Sequence, residues 1–198
     1  MRKKGKTRRE KTDFGIYHYT SSAASTEIRA AVKVMFTSAF TSLPFSRDDR
    51  LKILDVGCGL GFLSCVSAEF YKNARVTGID TFKHASLKDS SPKKAKENAR
   101  ILDLADRIDF RKCDMLKFSP TGTFDLIVSN LVFHNLGKRR FDAYQRLARW
   151  TKFYAILGDL FFDYEIDLRF LSNLFANVKD RSSSTIGQQY RILQMSKN

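Results

Sequence analysis

The residues of this sequence best suited to chemistry lie where short apolar runs end. Asp55 belongs to the apolar run 51–56, and glycines follow at positions 57, 59 and 61. A strand, a glycine turn and a helix bring backbone N–H groups close to a nucleotide-like ligand at the helix N-terminus. A dinucleotide fingerprint would also need glycine at position 62, where this sequence has Phe62. The spacing therefore predicts a nucleotide-like ligand other than a dinucleotide.

Three later apolar runs also end in polar side chains. Asp80 ends the second run, and a carboxylate at that point can accept hydrogen bonds from both hydroxyls of a ribose. Asp114 follows the third run and can accept a hydrogen bond from an adenine amino group, and Asn130 ends the fourth. Ligands of doubly wound folds sit at the carboxyl ends of the strands, so we expect these residues to lie around one site.

The pattern D-x-G-x-G-x-G over residues 55–61, with acids at the next two strand ends, resembles class I S-adenosylmethionine-dependent methyltransferases. The resemblance covers roughly residues 50–160 through its motifs and the C-terminal part through its pattern alone. It implies S-adenosylmethionine as the cofactor and a Rossmann-like, seven-stranded fold. No metal is implied.

The resemblance also implies a role for each matching residue. The glycine turn would pack its backbone against the methionine part of the cofactor, and Asp55 would orient the turn and the cofactor's amino group. Asp80 would hold the ribose, while the adenine would lie among side chains from two strand ends. Asn130 would lie near the sulfonium, mainly through its backbone carbonyl. The implied cofactor-binding residues are Asp55, Gly57, Cys58, Gly59, Gly61, Asp80, Thr81, Phe82, Asp114, Met115 and Asn130.

Alternating strand and helix patterns position these residues. We predict strands near 51–56, 75–80, 107–111, 124–129 and 153–159, and helices near 26–40, 60–71, 92–104, 137–150 and 164–175. Two further strands, near 177–184 and 188–195, flank a turn-prone segment and predict an antiparallel hairpin. The expected fold is α/β: a doubly wound, mostly parallel seven-stranded sheet with helices on both faces and a C-terminal antiparallel hairpin.

Composition bounds the organisation of the chain. With 198 residues, we expect a basic tail at 1–12 and a single methyltransferase domain at 13–198, comprising a lid and helix region at 13–50 and a Rossmann-like core at 51–198. Three widely spaced cysteines predict reduced thiols in a cytoplasmic protein. The polar, basic N-terminus predicts no signal peptide, and no apolar run is long enough to predict a membrane span.

The methyl acceptor is open at this stage. A small molecule is favoured by the compact chain and by apolar residues 131–133 beside the expected site. RNA is the alternative, since the net charge is +14 and a basic tail and basic fourth helix can contact phosphates. The helix contributes Lys138, Arg139, Arg140, Arg146, Arg149 and Lys152. The tail can equally be a solvated arm. A third hypothesis is a non-catalytic module that binds cofactor or RNA.

Two observations bear on mechanism. His134 follows the fourth strand and is the candidate general base, with Asn130 as a second candidate catalytic residue; the other interpretation of His134 is a loop-anchoring histidine. Asp159 is a candidate pocket acid, and residues 17–19 form either a lid over the cofactor or a segment packed on the sheet. The Asn-Pro-Pro-Tyr motif that resembles exocyclic-amine methyltransferases is absent, since residues 129–132 read Ser-Asn-Leu-Val.

Overall fold

A mixed β-sheet forms the centre of the computed structural model, which describes residues 11–182 and 189–197. Within these residues the sheet has seven strands in the order β3-β2-β1-β4-β5-β7-β6. Their bounds are β1 Lys52–Val56, β2 Arg75–Asp80, β3 Ile108–Lys112, β4 Phe124–Asn130, β5 Thr151–Leu160, β6 Asn177–Asp180 and β7 Tyr190–Ser196. Strands β1 to β5 pair in parallel, and β7 runs antiparallel to both β5 and β6. The predicted fold class is confirmed.

Helices cover both faces of the sheet, as predicted. They are α1 Ser22–Thr41, α2 Phe62–Phe70, α3 Pro92–Ile101, α4 Arg140–Trp150 and α5 Tyr164–Ser172. Helix α1 begins four residues earlier than predicted because the Ser21 hydroxyl accepts a hydrogen bond from Ala24 N and caps it. Ser91 caps α3 ahead of Pro92, as expected.

The helix predicted at 137–150 begins three residues later, at Arg140. A 3₁₀ segment, Phe133–Arg139, precedes it, and Gly137 inside this segment has φ 54° and ψ −132°. A backbone in that conformation cannot continue an α-helix, and glycine adopts it without a side-chain clash. The break lets the chain after β4 turn back over the sheet edge before α4 begins.

Two apolar layers hold the helices to the sheet. On one face, α1 and α2 pack around Phe36, Phe40 and Tyr71, and on the other α4 packs around Tyr144 and Leu147. Neighbouring residues of the central strands are buried on opposite faces, as expected for a parallel sheet covered on both sides. This explains why the strands are continuous apolar runs in the sequence.

Two expectations fall partly beyond the described residues. Most of the predicted tail (1–10) and the turn-prone segment (183–188) lie outside them. Within the described ranges, no helix combines the length and apolar character needed to cross a bilayer.

The strand order places a crevice between β1 and β4. From β1 the chain proceeds outward through β2 and β3, then returns to β4 on the other side of β1. The connections on the two sides diverge at this point, so the carboxyl ends of β1 and β4 leave room for a ligand. Every polar residue that the sequence singled out at a strand end therefore belongs to this edge of the sheet.

Candidate cofactor and acceptor site

A cavity opens at the carboxyl ends of β1 and β4 and contains about 1040 Å³ of space continuous with solvent. Nine of the eleven predicted cofactor-binding residues line it. They are Asp55, Gly57, Cys58, Gly59, Asp80, Thr81, Asp114, Met115 and Asn130. Gly61, Phe82 and the candidate base His134 are not among its lining residues in the described part of the chain.

Gly57 allows the turn after β1 to pass close to the segment after β4. Its φ is 73°, and an added Cβ would overlap Val132 Cγ2 and lie 2.9 Å from Cγ1. Both the backbone conformation and the lack of space therefore require glycine. The turn after β1 therefore packs directly against the Val132 side chain.

The N–H groups of this turn are used by the protein itself. Gly57 N and Cys58 N both donate to Ile79 O, at 2.8 and 3.1 Å, and Gly59 N donates to Asp80 Oδ2 at 2.9 Å. Gly61 N donates to Cys58 O at 2.8 Å. All four N–H groups therefore have acceptors within the protein, and their closeness to a bound cofactor stays a prediction. The turn provides close approach without presenting the donors that a phosphate needs.

Gly61 and Phe82 lie behind the cavity. Gly61 has φ 83°, precedes α2, and an added Cβ would lie 2.7 Å from Phe110 Cζ, so it sets the packing of α2 on β3. Phe82 has φ 54°, and its N–H donates to Asp80 Oδ1 at 2.6 Å. Direct contact of these two residues with a cofactor remains a prediction.

Asp55 is a buried acid at the end of β1. It is 1% exposed, and the Ser64 hydroxyl donates to its Oδ2 at 2.5 Å. Burial raises the pKa of the Asp55 carboxyl to about 7; the charge of Asp80 adds to the effect, and the Ser64 hydrogen bond opposes it. A cationic group placed beside Asp55 would favour its ionised form. The cofactor's amino group is such a cation.

Asp80 and Asp114 keep acceptor capacity toward the cavity. Each oxygen of Asp80 accepts one backbone N–H, from Gly59 and Phe82, and Asp114 Oδ1 accepts from Leu116 N at 2.9 Å. A carboxylate offers about four acceptor positions, so each side chain can still bind a hydroxyl or amino group. The backbone hydrogen bonds fix the orientation in which they do so.

The Asn130 side chain is hydrogen-bonded to a residue of β7, which lies two strands away from β4 in the sheet. The Tyr190 hydroxyl donates to Asn130 Oδ1 at 2.6 Å, and Tyr190 is 2% exposed on β7. The side-chain oxygen of Asn130 is thus engaged within the protein, and the approach of its backbone carbonyl to the sulfonium stays a prediction.

His134 lies in the 3₁₀ segment, and its side chain contacts Asp159. Its Nδ1 is 2.5 Å from Asp159 Oδ1, while Asp159 Oδ2 accepts from Val132 N and Phe133 N at 3.2 and 2.6 Å. Asp159 is 2% exposed and does not line the cavity in the described chain. The pair anchors the segment that follows β4, which is the second interpretation of His134. Its role as a base stays a prediction.

The N-terminal segment forms one wall of the cavity. Tyr17 forms an antiparallel bridge with Leu87, and His18 N donates to Ser86 O at 3.0 Å. Tyr17 lines the cavity, whereas Tyr19 is 95% exposed. Residues 17 and 18 thus contact the loop after β2, and their role as a lid over the cofactor stays a prediction.

Arg29 is a lining residue that the sequence reasoning missed. It lies on α1 with 9% exposure, and its Nε has no hydrogen-bond partner. A signal was present, because Arg29 stands three and seven residues before Val32 and Phe36, on the apolar stripe of that helix. A basic residue on a buried stripe indicates a specific partner.

The residues present fit an adenosyl cofactor that carries an amino acid. The cavity combines a glycine-curved wall, acids at three strand ends and a buried cation with an unpartnered donor. A family model described as a methyltransferase domain matches residues 47–189. The chain belongs to this family. Its cofactor is S-adenosylmethionine, as predicted, and the class I assignment is confirmed.

Comparison with individual proteins shows how far the similarity extends. The tRNA1(Val) (adenine(37)-N6)-methyltransferase of Vibrio campbellii is 29% identical over 100 residues, 50% of this chain and 39% of that protein. The trans-aconitate 2-methyltransferase of Streptomyces avermitilis is 31% identical over 130 residues, 64% of this chain and 44% of that protein. The chain therefore spans less than half the length of these curated relatives.

A solved structure shows the same fold over most of its length. The magnesium protoporphyrin IX methyltransferase from Synechocystis PCC 6803, crystallised with bound S-adenosylmethionine, has a TM-score of 0.63 and 19% identity. The match covers 90% of this chain and 86% of that chain. At this identity the likeness concerns the methyltransferase fold alone.

Proposed function

We propose that this protein transfers a methyl group from S-adenosylmethionine to a small-molecule acceptor. The observation that carries the proposal is the largely apolar lining of the cavity. Phe14 and Tyr17 contribute to it from the N-terminal segment, and Leu131, Val132 and Leu136 from the segment after β4. Covered apolar cavities with a few polar groups are typical of sites for small molecules.

The backbone after β4 supports an acceptor other than the exocyclic amine of a base. Leu131 has φ 58°. In the Asn-Pro-Pro-Tyr motif a proline would occupy this position, and proline holds φ near −65°. The chain therefore builds a different surface beside Asn130 from the one that such a motif forms.

Methyl transfer asks the protein mainly for alignment. S-adenosylmethionine, when bound, supplies an activated methyl group and a thioether leaving group. Asp80 and Asp114 would fix the ribose and adenine, Asp55 would face the amino group, and Asn130 would border the sulfonium. Phe14 and Tyr17 would help to hold an acceptor in line with the methyl group. A base is needed only where the acceptor must lose a proton early, and His134 is the predicted one.

RNA is the second candidate, because curated relatives include tRNA and rRNA methyltransferases and α4 is basic. Ion pairs within the protein engage some of the basic side chains on and beside α4, which leaves fewer of them available for phosphate contacts. Arg140 pairs with Asp163 and Asp167 at 3.1 and 2.7 Å, and Lys152 pairs with Asp125 at 3.3 Å. The exposed residues left on this face are Lys138, Arg139 and Arg149, with Arg146 half-buried.

Labelled transfer into fractionated extract tests the proposal. The full chain is incubated with methyl-labelled S-adenosylmethionine and with separate RNA, protein and small-molecule fractions. We expect label in the small-molecule fraction, and none with Asp80→Asn, which weakens the predicted ribose contact. Asp106→Asn, an exposed acid on the turn before β3, is the matched control and should retain transfer.

The other outcomes are equally informative. Label in RNA, lost when Lys138 and Arg139 are both changed to Glu, would replace the proposal with the RNA candidate. Binding of S-adenosylhomocysteine without label in any fraction would favour the non-catalytic hypothesis. Neither outcome depends on identifying the acceptor beforehand.

A further inference from the structure

A buried cation, Arg29, lines the cavity where α1 meets residues 14–15. Arg29 is the one Lys or Arg among the cavity-lining residues of the described chain. Within the same residues no carboxylate forms an ion pair with it. A buried charge costs several kcal/mol unless it is paired and hydrogen-bonded. The chain therefore retains a charge whose partner the protein does not provide.

The guanidinium of Arg29 is held in place by backbone oxygens. Nη2 donates to Phe14 O at 2.7 Å and to Gly15 O at 2.5 Å, and Nη1 donates to Ser25 O at 3.3 Å. Its Cζ lies 4.6 Å from the centre of the Tyr17 ring. These contacts fix the position and plane of the group, and the Nε–H is buried without a hydrogen-bond partner. A fixed, planar guanidinium without a carboxylate partner is suited to bind a carboxylate.

The position of Arg29 within the site identifies which part of the cofactor it meets. The segment that Arg29 holds lies on the glycine turn, because Asn98 Nδ2 donates both to Asp13 O at 2.8 Å and to Leu60 O at 2.9 Å. An added Cβ at Gly15 would lie 3.0 Å from Leu60 Cδ1. Arg29 therefore lies, through residues 13–15, beside the glycine turn that is predicted to face the methionine moiety, and Asp55 lines the same cavity.

We propose that Arg29 is the carboxylate-binding residue of this site and that it receives the methionine carboxylate of S-adenosylmethionine. Asp55 and Arg29 then bind opposite charges of one zwitterion: the carboxylate of Asp55 faces the ammonium, and the guanidinium faces the carboxylate. This rests on S-adenosylmethionine as the cofactor and is independent of which acceptor is methylated. An acceptor bearing a carboxylate is the competing source of the same chemistry.

Decarboxylated S-adenosylmethionine separates the carboxylate from the rest of the cofactor. It keeps the adenosine, sulfonium and amino group and loses only the carboxylate. We expect the full chain to bind S-adenosylmethionine about 10- to 100-fold more tightly than this analogue in calorimetry, as for one charge-assisted interaction. In Arg29→Gln this ratio should fall to within about threefold of one. The additional net positive charge of the analogue works against the expected result, since the cavity is lined by three acids.

The ratio of the two dissociation constants does not depend on the folded fraction of a variant. Both dissociation constants are measured on the same variant, so a reduced folded fraction affects both alike. Arg29→Lys is a second variant for the case in which Arg29→Gln does not fold; it keeps the charge and should retain part of the ratio. Lys33→Gln is the matched control, because Lys33 lies one turn further on α1, is half exposed and pairs with Glu69 at 2.7 Å. It should leave the ratio unchanged.

Three results would overturn the proposal. Equal dissociation constants of the two ligands for the unsubstituted protein would mean that no residue binds the carboxylate selectively. An unchanged ratio in Arg29→Gln would assign that task to another residue. Loss of turnover in Arg29→Gln with an unchanged ratio of the two dissociation constants would mean that Arg29 contacts the acceptor instead. Failure of the proposed function looks different: the ratio would hold while no small-molecule fraction takes label.

Discussion

Replacing Gly57 by alanine is the sharpest test of the site geometry, because two independent costs meet at that residue. Its φ of 73° is unfavourable for any residue with a Cβ, by about 1–2 kcal/mol. The added methyl would also overlap Val132 Cγ2, and overpacking of this kind costs about 1–3 kcal/mol. We therefore expect Gly57→Ala to lower the free energy of unfolding by about 2–5 kcal/mol.

A double-mutant cycle separates the two costs. Val132→Ala removes the side chain that the new methyl would strike, so the double variant Gly57→Ala/Val132→Ala should recover the overpacking part. The remaining loss relative to Val132→Ala should be about 1–2 kcal/mol, the cost of the backbone conformation alone. The coupling energy between the two sites is thus expected to be about 1–3 kcal/mol and favourable.

Urea unfolding followed by tryptophan fluorescence provides the measurement. The chain has a single tryptophan, Trp150, which is 7% exposed and packs against Phe118, so its emission reports loss of the core. Gly122→Ala is the control, since its added Cβ meets nothing within 4 Å and its φ is not in the left-handed region. It should change stability by less than about 0.5 kcal/mol. Equal effects at Gly57 and Gly122, or zero coupling with Val132, would refute the geometry described for the turn.

Two further predictions concern ionisable groups. The native pKa of Asp55, about 7, exceeds the ordinary 3.8, so the native state holds an extra proton between these pH values. In the ligand-free protein this contribution to stability is present at low pH and is lost as pH rises from about 4 to 7, by an amount on the order of 4 kcal/mol. Urea midpoints should show this fall, and Asp55→Asn should reduce it; an unchanged profile would contradict the assignment. For His134→Gln we expect about 1–3 kcal/mol of destabilisation from the broken bond to Asp159, with turnover within about twofold. Lost turnover at unchanged stability would support the predicted base instead.

The strands and their polar ends were predictable because burial of a strand requires apolar residues along its length. Strands covered on both faces are continuous apolar runs, and Asp80 and Asn130 end β2 and β4 as predicted. The start of α4 was predicted three residues early, because basic residues 138–140 carry no apolar periodicity and the φ and ψ angles of Gly137 are not readable from the sequence. Residue types predict the helices and strands, whereas tertiary packing determines the exact residues at which they begin and end.

The role of the turn's N–H groups could not be read from the glycine spacing. That spacing predicts close approach to a ligand, and Gly57 provides it. Whether the N–H groups face the ligand depends on the neighbouring strand, and Ile79 O accepts two of them. Arg29 is a comparable case, because its importance depends on how α1 docks on the sheet. In both cases the deciding partner is distant in sequence.

The difference between this site and a dinucleotide site follows from charge and from one side chain. A pyrophosphate needs free N–H donors, whereas here Gly57 and Gly59 donate theirs to the protein and the cavity presents acids instead. At position 62, where a dinucleotide fingerprint would have glycine, the Phe62 ring packs edge-on against Phe14 with centroids 5.4 Å apart. Phe62 thereby seats the N-terminal segment whose carbonyls hold Arg29. The residue that departs from the dinucleotide pattern thus also supports the segment that positions Arg29, which we propose to bind the cofactor's carboxylate.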